Sequence, residues 1–343
     1  MKKIYNFYKK MLLFVAAILL FCISLRAQNP QHVRFDATIS SPPCEGGSFP
    51  YDTTKHVTFT VNVPGGGTRT FKFLTYNLGA NPALTPKQQM TYHDTCKTDM
   101  SVYGGWYQWG RKLVSHTFRC DYPASDAAHF SEIPIPRLPE NVSQYIIGTL
   151  ANSYMTNWLG NGANALWNST GDINGTGPGN NNACPDGYRV PSEYEWALLG
   201  WDDGNPASAA NDYKRDITSA ATLAPSGLYW VQVNNGLVNH TFTAGAICGY
   251  VLYEKSVWEA NQIADGGSLV DDFAPTPIMF LPAAGTRGNN GIRDVGIMGN
   301  YWSSSRSGVT AAYHMDLINT YVQPQIYGSR IIGMSVRCIA IDE

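Results

Sequence analysis

The stretch GNYWSSSRSGVTAAYHMDL, from Gly299 to Leu317, gives the clearest indication of the fold. From Ala312 to Leu317, large apolar residues alternate with small or polar ones. A period of two is typical of a strand with one face in a core and the other in solvent. We therefore predict that His314 and Asp316 point outward, where they are free to contribute to a binding surface.

Other segments also have the pattern of strands and turns. Residues 56–63 and 70–74 flank Pro64-Gly65-Gly66-Gly67, which predicts a β-hairpin with a glycine-rich turn. Further strands are predicted at residues 242–250, 278–282 and 334–339. These patterns indicate a domain built largely from short strands.

The strongest helix signal lies between Cys184 and Trp201. Ser192 and Glu195 have the spacing of a capping box, with Ser192 as the N-cap residue and Glu195 as its partner. Trp196 and Leu199 then fall on the face expected to be buried. A second, short helix is predicted from Asn141 to Leu159, within a segment that is otherwise rich in Pro, Asn and Gly.

The N-terminus has the pattern of a secretory signal. Several lysines precede the apolar run MLLFVAAILLFCISL, which is followed by a small residue, Ala27. We assign residues 1–27 to a signal peptide and residues 28–54 to an N-terminal extension, and expect export to the cell envelope surface or the medium. The alternative is a retained membrane anchor, but the run is shorter than the roughly 20 residues of a spanning helix.

Cysteine content and charge narrow the functional classes. Six cysteines follow the signal, which in an exported chain favours an oxidising compartment and disulfides, although their number alone allows many pairings. The net charge of −2 includes the lysines of the signal, so the mature chain is more acidic. We therefore expect neither nucleic acid nor an anionic membrane as a partner.

Six short motifs carry a resemblance to a known family: Asn77–Gly79, Tyr103–Gly110, Cys184–Trp196, Leu281–Gly285, Gly299–Ser304 and Gly333–Cys338. Their order and composition resemble the Fibrobacter succinogenes major paralogous domain family. The resemblance implies an α+β, C-type lectin-like fold over residues 55–343, with short antiparallel strands, one or two helices and long irregular loops. It also implies a disulfide between Cys184 and Cys338. The content of Pro, Asn and Gly predicts a loop-rich insert at about residues 112–183.

Enzymatic relatives of that fold have sites that this sequence lacks. The formylglycine-generating type needs a cysteine pair near the C-terminal cleft to bind copper, whereas this chain has serines at 303–305 and only Cys338 there. Another catalytic branch holds iron through clustered histidines, but the seven histidines here are scattered. We predict no metal, no cofactor and no enzymatic activity. A formylglycine-generating-type enzyme and a structural envelope or fimbrial subunit remain the alternatives.

The remaining interpretation is a binding or adhesion module whose C-terminal strands and loops face a protein or glycan ligand at a cell surface. Tyrosine, histidine, arginine and asparagine give such surfaces contact area and adaptable hydrogen bonds. The same residues could instead be only solvated strand faces. The candidate ligand-binding residues are Arg306, His314, Asp316, Asn319, Tyr321, Gln323, Gln325, Tyr327 and Arg330. The residues predicted to point inward are Trp302, Tyr313, Met315, Leu317, Val336 and Cys338.

The combination of fixed motifs and varied residues between them also resembles the variable receptors of diversity-generating retroelements. The resemblance implies that the segment from about Gly299 to Cys338 is diversified.

Overall fold

A computed structural model describes part of the chain. The described residues are 51–91, 100–111, 130–131, 145–146, 166–170, 177–200, 215–216, 221–234, 237–238, 248–261, 263, 267–271, 274–288, 291–308 and 310–341. The predicted signal peptide, most of the predicted N-terminal extension and most of the predicted insert lie outside these residues.

Strands make up most of the regular structure. They are β1 (His56–Asn62), β2 (Thr68–Leu74), β3 (Tyr107–Gln108), β4 (Phe130–Ser131), β5 (Tyr145–Ile146), β6 (Tyr188–Arg189), β7 (Arg215–Asp216), β8 (Ala221–Leu223), β9 (Leu228–Asn234), β10 (Leu237–Val238), β11 (Gly249–Glu254), β12 (Met279–Pro282), β13 (Thr286–Gly288), β14 (Gly291–Arg293), β15 (Gly299–Ser307), β16 (Ala311–Leu317), β17 (Tyr321–Ser329), β18 (Gly333–Met334) and β19 (Ile339–Ala340). The helices of the described residues are α1 (Pro86–Thr91), α2 (Met100–Tyr103), α3 (Glu193–Gly200) and α4 (Lys255–Asn261).

The strands form four small antiparallel sheets and one parallel pair. The sheet orders are β1-β2-β19-β6, β10-β9-β11-β12 with β8 on β9, β14-β13-β18-β3, and β15-β16-β17-β7, while β4 pairs with β5 in parallel. The last strand, β19, lies between β2 and β6. The two ends of the described chain are therefore joined in one sheet.

The predicted α+β class is wrong. Strands predominate among the described residues, and the helices there have only four to eight residues each. Period-two alternation and glycine-rich turns recur along the chain, whereas only one segment has helix-capping residues before an apolar run, so the sequence favours short strands. The protein is mostly β, and the prediction of a C-type lectin-like α+β arrangement is not confirmed.

Several local predictions are confirmed. Residues 56–62 and 68–74 form the predicted hairpin, and the turn glycines 65–67 all have positive φ. The capping box at α3 is present, because Glu195 N donates to Ser192 Oγ at 3.2 Å and Ser192 N donates to Glu195 Oε2 at 2.8 Å. The helix predicted from Asn141 to Leu159 is wrong at Tyr145–Ile146, which form a strand; its other residues are not described.

Two hydrophobic clusters form the core. The first contains Phe73, Trp196, Trp230 and Leu281, and α3 contributes to it. The second contains Trp109, Trp167, Trp302 and Val336. The sheet of β15, β16, β17 and β7 contributes to both clusters, so a large part of each of its faces is covered.

Candidate ligand-binding face

The C-terminal sheet has two faces that must be distinguished. Its helix face packs against α3 and carries Tyr301, Met315, Leu317 and Val322, all in the first core cluster. Its histidine face carries Asn300, Trp302, His314 and Asp316; Asn300 lies opposite Asp316 and Trp302 opposite His314. Trp302 belongs to the second core cluster. The predicted inward positions of Trp302, Met315 and Leu317 are thus confirmed.

His314 and Asp316 do not point into solvent as predicted. Only 4% of His314 and 5% of Asp316 is exposed. The His314 ring packs edge-to-face on Trp302, with ring centroids 5.4 Å apart, and its Nε2 lies 3.0 Å from Asp316 Oδ1. Asn300 Nδ2 donates to the same carboxylate oxygen. The alternation correctly predicts that His314 and Asp316 share one face of the strand, but the second core cluster covers this face, which we expected to be exposed to solvent.

Arg330 and Gln325 are also buried rather than surface residues. The Arg330 guanidinium lies 4.3 Å from the centroid of the Trp109 ring, and it donates hydrogen bonds to the carbonyls of Ala311 and Gly308 at 3.0 Å. Burial lowers the pKa of Arg330 to about 10, and the nearby Arg306 acts in the same direction. Arg330 therefore holds the hairpin ends together instead of facing a ligand.

Two bulges interrupt the C-terminal sheet. Between the pairs Trp302–His314 and Arg306–Ala312, residues 303–305 of β15 face Tyr313 alone. Between the pairs Asp316–Gln323 and His314–Ile326, residues 324–325 of β17 face Met315 alone. Because a strand proline is tolerated at a bulge, Pro324 accounts for the second irregularity.

The second bulge divides the predicted ligand-binding set between the two faces. Gln323 lies opposite Asp316 on the histidine face, and Tyr321 follows the same alternation. The extra residue in β17 then shifts the alternation, so that Tyr327 lies opposite Tyr313 on the helix face. Tyr327 is consequently on the opposite face from Tyr321, Gln323 and the half-buried Arg306. Asn319 lies in the turn after β16, and its backbone carbonyl accepts a hydrogen bond from the Gln232 side chain.

The most exposed predicted residue is Tyr327. Its side chain is on the helix face, and 52% of the residue is exposed. The ring packs edge-to-face on the half-buried Tyr313, with centroids 6.5 Å apart and an interplanar angle of 88°. The prediction that Tyr313 points inward is wrong in part, because the residue is half-buried and its ring packs on the exposed Tyr327. Among the described residues, the other exposed large apolar side chain is Ile297.

Glu193, which the sequence did not single out, lies beside the helix-face bulge residues. It is the first residue of α3 and is 3% exposed. Its backbone N–H donates to Ser305 Oγ at 3.0 Å, its carboxyl interacts with the Gln325 side chain, and its Oε2 has no hydrogen-bond partner. Burial raises the pKa of Glu193 to about 7. Glu193 lies within the Cys184–Trp196 motif, but nothing in that motif indicates that its carboxyl is buried.

Glu193→Gln is expected to change how stability depends on pH. Folding raises the pKa of the Glu193 carboxyl from 4.5 to about 7. The protonated carboxyl therefore contributes stability to the folded protein that is fully present below about pH 4.5 and is lost as the pH rises through about 7. At about pH 9 the variant should be more stable than the wild type by about 3 kcal/mol. Urea unfolding at several pH values measures this. Equal pH profiles for the two proteins would contradict the burial argument.

The six motifs of the sequence lie mainly in the interior. Arg337 is fully buried; its Nε donates to Asn77 Oδ1 at 3.0 Å and its Nη2 to the Phe280 carbonyl at 2.6 Å. Burial lowers its pKa to about 10. Arg337 therefore links Asn77, in one motif, and Phe280, just before another, to the segment between β18 and β19.

Tryptophans make similar links. Trp106 Nε1 donates to the carbonyl of Ala284 at 3.0 Å, and Trp302 Nε1 donates to the carbonyl of Tyr107 at 2.7 Å. Gly285, which follows Ala284, has φ +66°, and an added Cβ would lie 2.1 Å from the Arg293 carbonyl oxygen. These motif residues hold segments together, and the exposed residues lie between them.

The predicted disulfide is present. Cys184 and Cys338 are bonded, with Cα atoms 5.9 Å apart, and they connect the segment before α3 to the start of β19. Cys248 is disulfide-bonded as well. Among the described residues, no group of three or more His, Cys, Asp or Glu side chains could hold a metal ion. None of the helices described is long and apolar enough to cross a membrane.

These features define a mostly β, disulfide-linked domain with internal sequence motifs and an exposed tyrosine pair. The chain belongs to the Fibrobacter succinogenes major domain family, whose model matches residues 69–340. The match does not extend to the C-type lectin-like relation that the resemblance implied. No curated protein and no solved structure matches the chain.

Proposed function

We propose that this chain is an exported, non-enzymatic binding module that acts at a cell surface and contacts a glycan or protein through the Tyr313–Tyr327 pair. The observation that carries the proposal is the exposure of Tyr327, 52%, on a sheet whose other large side chains are mostly covered. The signal pattern of residues 1–27 supports the proposed export, and the disulfide-bonded Cys184–Cys338 pair is in keeping with an oxidising compartment.

Tyrosine suits this role for a physical reason. Its ring gives a large contact area with little conformational entropy to lose, and its hydroxyl donates and accepts hydrogen bonds. The edge-to-face contact with Tyr313 fixes the Tyr327 ring before a ligand arrives. A ring that is already oriented loses less entropy on binding, which favours affinity.

Tyr327→Ala is expected to weaken binding by about 2 kcal/mol or more, roughly thirtyfold, if the pair is a hot spot. The free energy of unfolding should change by only about 1 kcal/mol, because half of the residue is exposed and the variant loses little beyond the contact with the Tyr313 ring. The purified mature chain would first be tested on glycan arrays and immobilised cell-surface proteins. Calorimetric titration of whichever molecule binds then compares the variants.

Two control variants separate the faces. Tyr321→Ala changes a tyrosine on the histidine face, and Ile297→Ala removes the other exposed apolar side chain outside the sheet. Both should bind as the wild type does. If Tyr327→Ala binds normally while Tyr321→Ala does not, the ligand contacts the histidine face and the proposed site is wrong.

A further inference from the structure

The two bulges of the C-terminal sheet converge on one buried residue, Glu193. Glu193 contacts the β15 bulge through Ser305 Oγ, which accepts from the Glu193 backbone N–H at 3.0 Å. It contacts the β17 bulge through the side chain of Gln325. Ser305 lies in the bulge opposite Tyr313, and Gln325 precedes Tyr327 by two residues. Each tyrosine of the pair is thus next to a bulge that touches Glu193.

Bulges re-aim the side chains beside them, so Glu193, which contacts one bulge through its backbone N–H and the other through its carboxyl, influences the tyrosine pair. The β17 bulge has the larger effect, because the extra residue is what directs Tyr327 to the helix face. A change in the carboxyl that Gln325 contacts therefore acts on the position of the exposed ring.

The surroundings of Glu193 do not stabilise a negative charge. Burial is the main influence on its carboxyl, and the Gln325 side chain opposes it only in part. Among the described residues of the strands around it, the ionisable groups on the helix-face side are Tyr301, Tyr313 and Tyr327. The groups that follow the alternation of the histidine face are Arg306, His314, Asp316 and Tyr321. On its own segment, Arg189 is paired with Glu195 instead.

We propose that Glu193 is a pH-responsive group that sets the orientation of the Tyr313–Tyr327 pair. With a proton, the carboxyl is neutral and remains between the start of α3 and the β17 bulge. Without it, the buried charge favours the entry of water at the start of α3 and draws the Gln325 side chain closer, which moves the β17 bulge and shifts Tyr327. Only the consequence for ligand affinity rests on the proposed function, since the structural response needs no ligand.

The size of the effect follows from the protonated fraction. If the tyrosine arrangement described here requires the protonated form, its population falls about tenfold between about pH 6 and about pH 8. A ligand that needs this arrangement would lose affinity by the same factor.

The test is a pH titration of the whole mature chain labelled with 3-fluorotyrosine and followed by fluorine NMR. The Tyr327 resonance is assigned by its loss in Tyr327→Phe. In the wild type it should shift with a midpoint near pH 7, and in Glu193→Gln that shift should disappear. Glu193→Gln keeps the shape of the side chain, and its unfolding curve shows whether it is folded.

Glu259→Gln is the matched control. Glu259 is 45% exposed and accepts a hydrogen bond from Tyr229, so its loss should move the Tyr229 resonance and leave the Tyr327 titration intact. A Tyr327 resonance that does not titrate in the wild type, or that titrates equally in Glu193→Gln, overturns the proposal. Because no ligand is added, either result is independent of whether the module binds a glycan or protein.

Discussion

Replacing Cys184 and Cys338 together with alanine is expected to lower the free energy of unfolding by about 5 kcal/mol, the largest effect of any change considered for this protein. The bond joins residues 154 positions apart, and closing so long a loop removes much of the conformational freedom of the unfolded chain. Cys338 is also fully buried in the second core cluster. Denaturant unfolding of the oxidised wild type and the variant measures the difference.

The single variant Cys184→Ala serves as the control for this prediction. It removes the same bond while leaving Cys338 in the core, so it should lose about as much stability as the double variant. A double variant that lost less than about 1 kcal/mol would show that the unfolded chain is already compact or that the bond is compensated by strain.

Glu195→Gln is expected to cost about 3–5 kcal/mol, because it leaves a buried arginine without its counter-charge. The Glu195 carboxylate accepts from Arg189 Nη1 at 2.6 Å and Nη2 at 2.7 Å, and both side chains are fully buried. Arg69, which is partly exposed, also contacts it at 2.9 Å. Glutamine still offers an oxygen to the Ser192 N–H, so the change tests the charge and not the helix cap.

The double variant Arg189→Met/Glu195→Gln provides the comparison. It removes the buried positive charge together with the negative one, so it should be more stable than Glu195→Gln alone. Thermal and urea unfolding of the wild type, Glu195→Gln and the double variant measures the difference in stability. If both variants lose the same amount, the cost comes from lost packing and not from the uncompensated charge.

The contrast between Glu195 and Glu193 shows what a sequence pattern can and cannot give. Glu195 was recognised because Ser192 lies three residues before it, and the capping box depends only on local geometry. Its second role, as the partner of Arg189 and Arg69, was not foreseen. Nor was the burial of Glu193, because Ser305 and Gln325, which enclose it, are more than 100 residues away along the chain.

The C-terminal strands show the same division. Alternation correctly placed Met315 and Leu317 in the core. It also correctly put His314 and Asp316 on the opposite face, but it could not tell that this face is packed against the cluster of Trp302 and Val336. Period-two alternation reports that two faces differ and does not report what covers each one.

Local features could be predicted from the sequence: the hairpin of β1 and β2, the capped start of α3, the family and, through the family resemblance, the Cys184–Cys338 bond. These depend on neighbouring residues or on short motifs. The pairing of the short strands into four sheets, and the exposure of Tyr327 but not of His314, could be learned only from the three-dimensional arrangement. Burial and strand register come from contacts between distant segments, and one extra residue in β17 changes the face occupied by the side chains that follow it in that strand.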